Sequence, residues 1–198
     1  MFWNKAARFY DFFETVYNGK VYRSLGKRIA LEMDPDDTVL ECACGTGIIS
    51  RQIAPKCLQL TATDVSKGML RQTAKKCRRF DNVKIRRADI MHLKYQDGTF
   101  DKVIAANVLH LLQNPAGALK ELERVCKTGG RIIIPTYINA SEGVNRKAVH
   151  LLELAGVRFM RQFDIRSYRQ FFEHAGYKNF DCSVISGRMP CAIAVITK

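Results

Sequence analysis

The segment Val39-Leu40-Glu41-Cys42-Ala43-Cys44-Gly45-Thr46-Gly47 constrains this 198-residue chain more than any other. An apolar run ends at an acidic residue, two glycines follow with one residue between them, and a helical pattern from Ile48 to Ala54 starts at once. A strand that feeds a glycine turn into a helix N-terminus is how α/β proteins receive nucleotides. The glycines allow close backbone approach to a ligand, and the first helical turn offers N–H groups without partners of their own.

Around this turn, strand-like runs alternate with helical ones. The strands are predicted at Val39–Cys42, Leu58–Thr63, Val83–Arg87, Lys102–Ala106 and Arg131–Tyr137. Several are almost wholly apolar, as strands buried on both faces should be. Ser66 is placed to cap a helix over Lys67–Phe80, and Asn114-Pro115 opens another with the apolar stripe Leu119, Leu122, Val125 and Cys126. Near the end, Arg166–Ala175 reads as a helix stopped by Gly176. The runs Phe180–Ile185 and Cys191–Thr197 follow, joined by Ser186-Gly187-Arg188-Met189-Pro190, a connection short enough to force an antiparallel hairpin. The expected fold is an α/β, Rossmann-like sheet, mostly parallel, with helices on both faces and a C-terminal β-hairpin that reverses the last strand.

The length suits a single domain over residues 1–198, with enough chain to bury a core without staples. Hydrophobic content of 47% and charged content of 26% are globular values, and no apolar run reaches the ~18 residues of a membrane span. The N-terminal residues lack the apolar centre of a signal peptide, so the expected location is cytoplasmic. Seven scattered cysteines are an odd number, and those within apolar patterns read as buried, reduced thiols. Neither the cysteine spacing nor the acidic residues form a metal motif, so no metal is expected. The net charge of +13 suits anionic partners: nucleic acid, an anionic membrane surface or an acidic small substrate. The densest run is Lys75, Lys76, Arg78, Arg79, Lys84, Arg86 and Arg87. Its plainer explanation is a solvated basic face.

Four strand ends carry chemistry. Glu41 closes the first. Asp64 closes the second, where a carboxylate can accept hydrogen bonds from both hydroxyls of a ribose. Asp89-Ile90 follows the third, with an acceptor for an amino group and an aliphatic surface for an aromatic ring. Asn107 ends the fourth. Ligands of open α/β sheets sit outside the carboxyl ends of the strands, so these residues converge on one crevice.

With these residues in place, the sequence resembles the class I S-adenosylmethionine-dependent methyltransferases. It looks most like the small branch that includes ubiquinone and menaquinone biosynthesis enzymes and phospholipid N-methyltransferases. The likeness runs from about Ala7 to the C-terminus. Its motifs are Val39–Gly47, Thr63-Asp64-Val65-Ser66-x-x-Met69-Leu70, Ala88-Asp89, Thr99–Ile104, Val108-Leu109-His110, Glu121–Gly130 and Ser167–Gly176. The resemblance implies a seven-stranded sheet and bound S-adenosylmethionine. It implies that Glu41, Ala43, Gly45 and Gly47 shape the methionine and ribose portion of the site, and that Asp64 takes the ribose hydroxyls, with Val65 and Met69 in the same motif. Asp89 and Ile90 would hold the adenine, Asn107 would face the methionine end, and Tyr10 would close over the cofactor. Two positions depart from the pattern: Ala43 replaces the first glycine of the turn, and Leu111 replaces a second histidine.

The reaction so implied is in-line methyl transfer to a small-molecule acceptor, quinone-like or lipid-like, with S-adenosylhomocysteine as product. An acceptor with a labile proton also needs a base, and His110 is the candidate by position. The helical segments 1–25 and 138–163 read as lids that carry acceptor specificity. An RNA methyltransferase using the basic surface and a non-catalytic S-adenosylmethionine-binding protein are the alternatives. A nicotinamide dehydrogenase fits the glycines and Asp64 but not Asp89 or the terminal hairpin. Oligomeric state and the atom methylated are not legible.

Overall fold

A computed structural model describes residues 18–139 and 160–198. In chain order the elements are α1 (Gly19–Ala30), β1 (Thr38–Cys42), α2 (Ser50–Ile53), β2 (Gln59–Asp64), α3 (Lys67–Cys77), β3 (Val83–Arg87), β4 (Phe100–Ala105), α4 (Pro115–Val125), β5 (Cys126–Tyr137), α5 (Ile165–His174), β6 (Asp181–Ile185) and β7 (Cys191–Thr197). The seven strands form one sheet in the order β3-β2-β1-β4-β5-β7-β6. The pairs from β3 across to β5 are parallel, and β7 runs antiparallel to both β5 and β6. The sheet therefore has seven strands, is mostly parallel and ends in a reversed last strand, as expected.

The apolar runs of the central strands have a direct cause. Each strand alternates its side chains between two cores. Leu40 of β1, Val103 of β4, Ile132 and Ile134 of β5 and Ala194 of β7 face one core with α4 and α5. Val39, Ile104, Ile133 and Ile193 face the other with α1 and α2. A strand buried on both sides has no polar face to show.

The caps act as the sequence predicts. The Ser66 side chain accepts from Met69 N–H, and the Asn114 side chain accepts from Gly117 N–H with Pro115 at the first helical position. Helix α5 starts on a capping box between Asp164 and Ser167. Helix α1, which extends beyond the helical segment expected to end at residue 25, buries Val21, Leu25 and Ile29 in the second core and turns buried Tyr22 to the cavity. It includes residues 19–25 of the segment expected as an N-terminal lid. The rest of that lid, Tyr10 with it, lies outside the described residues, as does most of the 138–163 lid. Among the described residues no helix is long and apolar enough to cross a membrane, and no group of three or more metal-ligating side chains occurs.

Candidate functional site

The crevice opens where β1 and β4 meet beneath the glycine turn. Glu41 is 1% exposed, on the last residues of β1. Its Oε2 accepts from Ser50 Oγ at 2.5 Å, which ties the strand to the start of α2. Burial pushes the Glu41 carboxyl up to about 8; the Ser50 hydrogen bond works against this and the charge of Asp64 adds to it. Glu41 thus holds a proton at neutral pH in the unliganded chain.

The turn itself is built from left-handed backbone. Ala43, Gly45 and Gly47 have φ of 53°, 55° and 80°. Cys44 N–H donates to Thr63 O at 2.9 Å and Thr73 Oγ1 donates to Gly45 O at 2.9 Å, so β2 and α3 hold the loop from both sides. The two glycines have different reasons to be there. A Cβ on Gly45 would meet nothing within 4 Å, because it would project into the open cavity, whereas a Cβ on Gly47 would lie 2.9 Å from Thr73 Cα. Gly47 lets α3 pack close and does not line the cavity.

Asp64 accepts from Gly45 N–H at 3.0 Å and Ser66 N–H at 2.8 Å. Burial raises its pKa, and the backbone N–H groups of Ser66, Gly45 and Val65 hold part of that rise back. With two oxygens and about four acceptor positions, the carboxylate keeps capacity for a ligand hydroxyl. Asp89, more exposed, accepts from Met91 N–H at 2.9 Å, while Ile90 is buried beside it. Arg124 of α4 fixes this wall. It donates to Leu93 O and Tyr95 O at 2.8 Å each and pairs with Asp97 and Glu121.

At the end of β4, Asn107 has φ 52° and is buried. Its N–H donates to Pro135 O at 2.8 Å and its Nδ2 to Tyr22 Oη at 3.3 Å. A non-glycine residue there stores backbone strain of roughly 1–3 kcal/mol, a feature that clusters at ligand sites.

These residues enclose a cavity of about 560 Å³, within the range of small-molecule sites. Glu41, Ala43, Gly45, Asp64, Val65, Met69, Asp89, Ile90 and Asn107 line it, which brings together nine of the sequence-predicted site residues. Among the described residues its acidic lining groups are Glu41, Asp64 and Asp89, and no Lys, Arg or His lines it. Tyr22, Met91 and Leu112 also line it and escaped the sequence reading; Val108 and Leu111 line it too, and the sequence marked them only as parts of the family pattern. Tyr22 was findable only with α1 in hand.

His110 stands apart. It is buried in the single 3₁₀ turn Leu109–Leu111, and its carbonyl accepts the N–H groups of Met160 and Arg161 at 3.0 and 3.2 Å. It does not line the cavity. Burial pushes its imidazole down to about 4, which leaves it neutral and weakly basic at pH 7. Tyr168 is wholly in the core, where its hydroxyl donates to Ile134 O and accepts from Ala194 N–H.

Residues 40–134 match the methyltransferase-domain family. The chain is 32% identical over 131 residues to a demethylmenaquinone methyltransferase of Corynebacterium urealyticum, covering 65% of this chain and 54% of that protein. It spans between about a third and three fifths of the length of curated relatives it matches. Among solved structures, an S-adenosylmethionine-dependent methyltransferase from Thermotoga maritima superimposes with a TM-score of 0.78 at 17% identity, over 100% of this chain and 99% of that one. The S-adenosylhomocysteine complex of DhpI superimposes with a TM-score of 0.73 at 17% identity, over 98% and 93%. At such identities the superpositions report the fold.

Proposed function

We propose that this chain, a member of the class I S-adenosylmethionine-dependent methyltransferases, binds that cofactor in the cavity and methylates a small, uncharged, largely apolar acceptor. The observation that carries the reading is the cavity's charge. In a chain of net charge +13, the described lining carries the acidic side chains Asp64, Asp89 and Glu41, the last neutral until a cation arrives, and no basic one. Such a field suits a ligand with an ammonium, a sulfonium and a ribose diol, and disfavours a phosphorylated dinucleotide.

The residues present fit that ligand. Gly45 leaves open the volume that a Cβ would fill. Asp64 accepts hydroxyl protons while Gly45 and Ser66 hold its rotamer. Ile90, Val65 and Met69 give an apolar bed for a flat ring, and Asp89 stands at its edge. Glu41 gives up its proton when a cation is beside it. Bound S-adenosylmethionine supplies a methyl group on a positively charged sulfur. Its sulfur would leave with the sulfur–carbon electron pair as an electron pair of the acceptor formed the new bond to the methyl carbon, giving S-adenosylhomocysteine; any acceptor proton would go to base or water. The protein's share is alignment and exclusion of water. Met91, Val108, Leu111 and Leu112 form the apolar side, which fits a quinone-like acceptor of the kind named in the curated relatives. The unpaired state of all seven cysteines supports a reducing, cytoplasmic setting.

Calorimetry with S-adenosylhomocysteine tests the cofactor. Binding is expected in the natural chain, and Asp64→Ala is expected to weaken it at least roughly tenfold, through loss of a charged hydrogen-bond acceptor. Equal affinity in the two proteins would sink the assignment. His110, the sequence candidate for a base, is better read as a wall that anchors Met160 and Arg161 through its backbone. His110→Ala should then keep kcat within about threefold once folded; a loss of roughly a hundredfold with unchanged cofactor affinity would restore the base role.

A further inference from the structure

The net charge is unevenly distributed. Residues 65–95 hold ten basic and two acidic side chains, a net +8 of the total +13. They build α3, the edge strand β3 and the turn into the cavity wall. Helix α3 and the residues just after it expose Lys75, Arg78 and Arg79, and β3 exposes Lys84, Arg86 and Arg87. Among the described residues none of these six pairs with a carboxylate: ion pairs lie elsewhere, at Arg28–Glu32, Lys102–Asp37, Arg124–Asp97 and Lys127–Asp101. Charge on an edge strand serves to block pairing with another sheet. That accounts for Lys84 and Arg86, which alternate with the more buried Val83 and Ile85, but not for the helix side chains. The basic edge also reaches the cavity, since Arg87 directly precedes Ala88 and Asp89 of its lining.

We propose that this edge is a docking surface for an anionic phospholipid bilayer, with the cavity rim set beside it. Charge complementarity supplies the attraction, spread over many side chains. Two observations favour a bilayer over nucleic acid. Base stacking needs open aromatic faces. On this edge Phe80 lies under the Arg79 guanidinium at 4.8 Å, and Tyr95 packs edge-on against Phe100 at 5.0 Å. Second, the carboxylate lining of the cavity opposes entry of a phosphodiester but not of an uncharged molecule drawn from the lipid phase. This second argument rests on the acceptor reading above; the first does not.

Co-sedimentation of the full chain with vesicles tests the surface. The chain should pellet with phosphatidylcholine vesicles that contain phosphatidylserine, stay in solution with phosphatidylcholine alone, and be released as salt rises toward about 1 M. Lys75→Glu, Arg78→Glu, Lys84→Glu and Arg86→Glu together should lower binding roughly tenfold or more, while Lys20→Glu with Lys27→Glu on α1 should leave it within about threefold. Circular dichroism reports whether the edge variant folds; should it not, Lys84→Gln with Arg86→Gln replaces it. Binding indifferent to phosphatidylserine, no binding, or an α1 pair as damaging as the edge set overturns the proposal. So does salt-sensitive capture of an RNA oligonucleotide with the vesicles ignored. Vesicle binding without S-adenosylhomocysteine binding would keep the surface and sink the cofactor assignment instead.

Discussion

Gly45 and Gly47 sit two residues apart in one turn, both with left-handed backbone, and nothing in the sequence tells them apart. Their neighbours do. The added methyl of Gly47→Ala meets the backbone of Thr73 at 2.9 Å, so α3 has to shift. This substitution is expected to destabilise the chain by about 2–4 kcal/mol, combining overpacking with left-handed strain. Gly45→Ala meets no atom and carries only the strain, about 1–2 kcal/mol, but it puts a methyl in the cavity. Urea unfolding and S-adenosylhomocysteine titration should therefore rank the two in opposite order. Stability should fall more for Gly47→Ala, and affinity of the folded fraction more for Gly45→Ala. Equal stabilities would mean that the turn has room on both sides. Ala43, at φ 53°, shows that the chain already tolerates one such methyl where it does no harm.

At the scale of elements, Arg124 decides how well the cavity wall of Asp89 and Ile90 is ordered. From α4 it holds two carbonyls of the loop before β4 and two carboxylates, one of which accepts Leu93 N–H at 2.9 Å. A lysine keeps the charge and loses the fork. Arg124→Lys should speed amide exchange over residues 89–98 and weaken S-adenosylhomocysteine severalfold, with stability lowered by about 1–2 kcal/mol from the lost carbonyl bonds. Unchanged exchange in that loop would show that Ile90 and Leu93, buried in the core, suffice to hold it. What was legible in the sequence follows the same division. Strands buried on both faces announce themselves, and so do caps such as Ser66 and Asn114, because both signals are local. Helix α1 was legible only as part of a helical segment ending at residue 25; its continuation to Ala30 was not, since no side-chain cap marks where it starts. Carboxylates at strand ends could be placed once a parallel sheet was inferred. The positions of Gly47 and His110 relative to the cavity depend on how α3 and the turn after β4 pack, and no spacing encodes that.

For the whole molecule, two buried groups set opposing pH dependences. Folded Glu41 keeps its proton to about pH 8, whereas a free glutamate releases it near 4.5. The folded chain binds more protons between these values, so stability falls as pH rises across that window. His110 is the reverse. Its folded value of about 4 lies below the ordinary 6.5, so the unfolded chain binds more protons between them and stability rises with pH. From about pH 4.5 to 6.5 the two slopes offset each other. From 6.5 to 8 Glu41 acts alone, and the unliganded chain should lose about 2 kcal/mol. Glu41→Gln, which keeps an acceptor for Ser50 but cannot titrate, should flatten this fall. Past pH 9 a second loss begins, as the unfolded chain ionises thiols that burial pushes to about 11 at Cys57, Cys77 and Cys126. Urea midpoints at pH 6.5 and 8, in the natural chain and in Glu41→Gln, measure the difference. A level profile in both, or the same slope in both, would mean that Glu41 is already ionised in the empty cavity. All three lining carboxyls would then be charged before any ligand arrives.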